Sequence, residues 1–180
     1  MPARAAPALV EIVRDLADDR PWHGFVVAEG EEFVVVHQVS DRFDLDGYCA
    51  FRKEDIAAVD TGFERREVIE RALALKRLAP TVPAGLDLSS MRRLMETAQA
   101  LSGILVIARE LIHDDEVEVG TIRMTSDDTY VLRYMTTNAE WVNDDRPFRY
   151  RDVTRLEFGA EYEQTLLAVA RSRAGGGSAD

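Results

Sequence analysis

The sequence predicts a mainly β protein with helices (α+β): a tandem duplication of a five-stranded small β-barrel, each copy followed by a helix. The first observation behind this is a self-match. Sliding the chain by 96 positions lays "GFVVAEGEEFVVVHQV" (24–39) on "GTIRMTSDDTYVLRYM" (120–135) without a gap. Gly24 meets Gly120, Val26 meets Ile122, and Val35 and Val36 meet Val131 and Leu132. After one inserted residue the match resumes, with "FRKEDIAAVDTGFE" (51–64) on "FRYRDVTRLEFGAE" (148–161). Similarity at a fixed spacing is the mark of a repeated structural unit. The second observation is that each copy holds several short β-branched runs parted by acidic or glycine turns. Short, bent strands of this kind normally close on themselves, because closure removes edges that would otherwise aggregate.

Each element follows in the same order in both copies. "LVEIVRDL" alone fits an amphipathic helix through Leu9, Ile12, Val13 and Leu16, but its counterpart "ILVIARELI" is rich in Ile and Val, so strand is expected in both. The aspartate doublets Asp18–Asp19 and Asp114–Asp115 suit turns. A hairpin follows, turning at "EGEE" or "TSDD" into "FVVVHQV" or "TYVLRYM". "DRFDLDGY" resembles part of a calcium loop, yet Arg42 and Lys53 stand where acidic ligands would be needed, so a turn is expected there. "YCAFR" or "RPFRY" forms the next strand, and Asp55 or Asp152 turns the chain into a short last one. Gly62 or Gly159 ends that strand, and helices follow that bury Ile69, Ala72 and Leu73 in copy one and Leu166, Val169 and Ala170 in copy two.

The expected organisation is a first barrel with its helix over 1–78, a linker and connecting helix over 79–103, a second barrel with its helix over 104–172, and a disordered tail over 173–180. Pro80, Pro83 and Gly85 mark the linker, and Ser89 or Ser90 caps a helix with Met91, Leu94, Met95, Ala98 and Leu101 along one side. The 180 residues are 46% apolar and 31% charged, a globular composition. No run approaches the roughly 20 apolar residues that cross a bilayer, acidic residues arrive too early for a secretory leader, and Cys49 stands alone, so a cytoplasmic protein with no membrane partner is expected. A net charge of −11 repels phosphate backbones, so nucleic acid is disfavoured and a basic protein partner is favoured.

No catalytic motif stands out. His23 aligns with Val119, His37 with Arg133 and His113 with Ala17, so no histidine is shared by the copies. Neither a phosphate loop nor a serine elbow is present, and no cofactor or metal is implied. The hairpin face carrying Phe25, Val27 and Phe33 in copy one carries Thr121, Arg123 and Thr129 in copy two, so copy one has an apolar face that something should cover. Trp141, in the polar stretch "TTNAEWVNDDRP", is a further candidate, as an interface anchor or as a lid.

The strand order and spacing resemble the Sm-like and SH3-like small barrels, and "LDGYCAFRKEDI" and "RYRDVTRLEFGAEYE" resemble an uncharacterised bacterial family with two such barrels. That resemblance implies a fold and no activity. Sm proteins read uridine-rich RNA partly through an Arg-Gly pair, and here Arg52 precedes Lys53 and Arg149 precedes Tyr150. The expectation is therefore a non-catalytic binding or adaptor protein, with Sm-like RNA binding and an enzyme of unknown type as the alternatives.

Overall fold

The computed structural model describes residues 7–16, 20–113 and 116–175. The aspartate doublets lie outside or against the edge of this set, since Asp18, Asp19, Asp114 and Asp115 are not among the described residues. The first copy contributes β1 (Leu9–Arg14), β2 (Trp22–Glu29), β3 (Phe33–Val39), β4 (Leu45–Arg52), β5 (Ile56–Asp60) and α1 (Arg66–Lys76). After α2 (Met91–Ser102), the second contributes β6 (Leu105–Ala108), β7 (Val117–Thr125), β8 (Thr129–Met135), β9 (Trp141–Arg149), β10 (Arg155–Phe158) and α3 (Glu161–Gly175). A single turn of 3-10 helix precedes β5 and β10 alike, over Lys53–Asp55 and Tyr150–Asp152.

The two closed barrels expected from the sequence are not formed. The strands make one open, antiparallel ten-stranded sheet in the order β5-β1-β2-β3-β4-β10-β6-β7-β8-β9. Within each copy the order is the same, β5-β1-β2-β3-β4 and β10-β6-β7-β8-β9. What differs from a barrel is where β4 goes. It pairs with β10 of the other copy, Ala50 opposite Leu156 and Tyr48 opposite Phe158. Cross-copy pairing removes one edge from each copy, as closure would, and the interior-like pattern of β4 serves either partner equally well.

The helices lie where their apolar stripes require. The Ser90 hydroxyl caps α2 by accepting from the Arg93 amide at 3.2 Å. Met91, Leu94, Met95 and Ala98 then pack over the junction of the copies, on Val27, Phe33, Val35 and Ala50 from one side and Leu105, Ile107, Leu156 and Phe158 from the other. Leu101, expected on that stripe, is 48% exposed at the helix end. The Gln99 amide group bonds both backbone groups of Ile122, tying α2 to β7 beside a bulge. Each fully buried apolar side chain here contributes on the order of 1.5–3 kcal/mol.

Each outer helix covers its own copy: α1 places Ile69 and Leu73 on Leu9, Val39 and Phe63, and α3 places Leu167 and Ala170 on Ile104, Met135 and Ala139. Ala72 is only half-buried, and Val169 is exposed where the sequence suggested burial. The inward line of α3 instead begins at Glu163, whose carboxylate reaches back to accept the Ala160 amide at 2.6 Å. That capping contact rotates the buried line onto 163, 167 and 170. Residues 173–175, assigned to a tail from sequence, continue α3, and 176–180 lie outside the described residues.

Candidate interaction surface

The apolar hairpin face of copy one is covered from within the chain. Val27 and Phe33 are 2% and 0% exposed and share a core with α2 and the second copy. Phe25 is half-buried and bridges that core to the α1 cluster. Trp141, at the start of β9, lies opposite Met135 and packs beside Ile104 and Leu167, with the Arg133 guanidinium 4.8 Å from its ring. Trp141 is thus half-buried against the α3 core.

The histidines are held in separate places. His23 Nε2 lies 3.0 Å from Glu11 Oε2, and its ring is 5.0 Å from Phe63. His37 is buried, stacked at 4.6 Å on Tyr48, and its Nδ1 accepts the Thr81 amide at 3.1 Å. Burial lowers its pKa, and the Asp46 charge works in the opposite direction. The Tyr48 hydroxyl lies 2.6 Å from the Thr81 hydroxyl, so the linker is pinned to the sheet at this point. His113 is exposed in the turn after β6. Among the described residues no three His, Cys, Asp or Glu side chains gather where a metal could be held. Cys49 is buried on β4.

The junction of the copies holds a buried charge network that single-position reading of the sequence did not single out. Arg14 at the end of β1 and Glu110 just after β6 form a two-point ion pair at 3.0 and 2.8 Å between the copies; by the strand pairing Arg14 corresponds to Arg109 and Asp15 to Glu110. Their side chains are 0% and 9% exposed. Glu110 also accepts from Arg155 Nε at 2.9 Å and from the Thr154 hydroxyl. Burial works against its charge, but these hydrogen bonds and the Arg155 charge prevail and bring its pKa down to about 2. Trp22 stands beside the network, with the Arg155 guanidinium 4.7 Å from its ring and Phe51 edge-on at 5.4 Å. Laying "LVEIVRDL" (9–16) over "ILVIAREL" (104–111) shows an arginine followed by a carboxylate at this point in both copies.

The same junction is closed by backbone contacts. Arg52, the last residue of β4, donates Nε to the Val153 carbonyl at 2.8 Å and Nη2 to the Tyr150 carbonyl at 2.9 Å. The Glu161 amide donates to Asp46 Oδ1 at 2.7 Å. Gly47 has φ +70°, and a Cβ there would lie 2.5 Å from the Ala160 nitrogen. Only glycine admits this approach.

The two ends of the sheet are built differently. At one end, β9 carries Asp144, Asp145, Arg146 and Pro147, and its pairing with β8 slips between Val131 and Arg133. Charges, a bulge and a proline are the usual guards of an edge. The other end is β5, Ile56–Asp60, in which Ala57, Ala58, Val59 and Asp60 are all exposed and Val59 is 54% so. Acids gather here: Asp60 lies opposite Glu11 on β1, and Glu54 and Asp55 precede it. Like charges directly opposite repel. Burial is the first cause that raises the Asp55 pKa, followed by the neighbouring Glu54 charge.

No helix among the described residues is long and apolar enough to cross a membrane. No family model, curated protein or solved structure matches the chain.

Proposed function

We propose that the chain is a binding protein without catalytic chemistry, and that its partner is another protein held along the free edge of β5. The asymmetry of the two sheet ends carries this reading. One end is guarded by Pro147, a bulge and charged side chains, while the other offers small apolar residues at Ala57, Ala58 and Val59. An exposed strand edge of this kind is a template for adding an extended segment of a partner, with main-chain hydrogen bonds supplying affinity. Glu11, Asp60 and Glu54 around it, on a chain of net charge −11, favour a basic partner and oppose a phosphate backbone. The reduced thiol of Cys49 fits a reducing compartment, and we place the protein in the cytoplasm.

Site-specific photocrosslinking in the native cell tests this. A photoreactive residue at Ala57 should yield a protein adduct, whereas one at Val142 on β9 should not. Equal labelling at the two positions, or none at Ala57, would remove the reading.

A further inference from the structure

The junction inside the chain is a worked instance of how an edge of this type takes a strand. β10 holds in copy two the place that β5 holds in copy one, and its outer side receives β4 antiparallel. The joint ends in Arg52, whose guanidinium bonds the carbonyls of Val153 and Tyr150. The repeat places Ile56 and Lys53 at those two positions in copy one. The local backbone agrees: the Ile56 amide bonds the Lys53 carbonyl as the Val153 amide bonds that of Tyr150. The Asp55 carbonyl accepts the Asp15 amide at 2.8 Å, so alternation along the strand turns the Ile56 carbonyl outward. Two carbonyls beside Glu54 and Asp55 thus form the acceptor half of a joint whose donor half is not in copy one.

The register of the two copies agrees. Ile56 pairs with Arg14 and Ala58 with Val13, which leaves Ala57 as an extra, bulged residue. Past the bulge Ile12 opposes Val59 and Glu11 opposes Asp60, as Ile107 opposes Leu156 and Val106 opposes Glu157. Asp60 therefore stands in the slot of Glu157, the residue that faces Cys49 of β4. Cys49 is three positions before Arg52.

We propose that the β5 edge receives, antiparallel, an extended segment of another protein with an arginine at its C-terminal end and a basic residue three positions earlier. The arginine caps the carbonyls of Ile56 and Lys53, and the earlier basic residue faces Asp60. This rests on the reading of β5 as the partner edge. A second copy of the chain does not supply such a strand. Its β9 has Pro147 in the place of Ala50, without an amide to donate, and its pairing slips in the stretch that follows toward Asn143.

The test uses three blocked peptides under reducing conditions with the full chain, followed by NMR. The first is the β4 sequence "LDGYCAFR" with Cys49→Lys, the second adds Arg52→Ala, and the third is a scramble of the first. The first should shift and protect the amides of Ile56–Asp60. The second should bind about tenfold more weakly, because hydrogen bonds to a charged group are the strong ones. If the first two bind β5 alike, the arginine clamp falls and the edge reading stands. If none perturbs β5, both fall. Concentration-dependent self-association that protects β5, seen by sedimentation and hydrogen exchange, would overturn the proposal by giving the edge to a second copy.

Discussion

Glu110 offers the most demanding test of how the copies are held together. Its carboxylate is nearly enclosed, takes a two-point bond from Arg14 and a further one from Arg155, and has a pKa brought down to about 2 against an ordinary value of 4.5. Such a difference is worth about 3 kcal/mol at 1.36 kcal/mol per unit. Because the folded value lies below the unfolded one, the stabilisation is complete above pH 4.5 and is lost as the pH falls from 4.5 towards 2. Glu110→Gln keeps the shape and removes the charge, leaving two arginines at the junction without this counterion. The expected loss at pH 7 is about 3 kcal/mol, in line with the roughly 3–5 kcal/mol of broken buried pairs. With a urea slope of about 2 kcal/mol/M, the unfolding midpoint should drop by about 1.5 M. Urea titrations of both proteins at pH 7, 4.5 and 3 decide the matter. The gap should be full at pH 7 and clearly smaller at pH 3. A gap below about 1 kcal/mol at pH 7, or one that does not change with pH, would refute the electrostatic account.

Three further outcomes are expected. His37 is held neutral by burial, so its contribution is intact above pH 6.5 and lost as the pH falls below that value; protonation would set an N–H against the Thr81 amide. Hydrogen exchange at Thr81, corrected for the intrinsic rate, should therefore quicken below pH 6.5, and His37→Phe should abolish that pH dependence. The Tyr130 hydroxyl is buried without a hydrogen-bond partner, so Tyr130→Phe should be neutral or stabilising by up to about 1 kcal/mol in thermal unfolding, and a clear loss would contradict this. Gly47→Ala brings both an unfavourable φ and a collision with Ala160, and should cost more than about 2 kcal/mol in the same assay.

The duplication was fully legible in the residues, because identity and chemical type persist from Gly24 and Gly120 through Gly62 and Gly159. Strand positions followed from it, including β1, where the apolar spacing alone favoured helix and the copy decided otherwise. Closure was misjudged for a physical reason: the alternation in β4 states that both sides of the strand are covered and is silent about which chain segment covers them. The contrast between Gly47-Tyr48-Cys49-Ala50 and Asp144-Asp145-Arg146-Pro147 did carry the answer, since one β4-type strand is fit for burial and the other for an edge. The network at the junction is harder to read, because Arg14 and Glu110 look like ordinary surface charges in the sequence and meet only through the cross-copy pairing. The inward turn of Glu163 was hidden by the habit of carboxylates to face water.

The contact between the halves is head-to-tail, since the outer strand β4 of one meets the last strand β10 of the other. A contact of this kind has no symmetry of its own, and repeated it would string half after half into an open ribbon. Pro147, which stands in β9 where Ala50 stands in β4, takes away an amide that the next joint would need. The chain is thus a row halted after two members, with its terminus set by one imino acid.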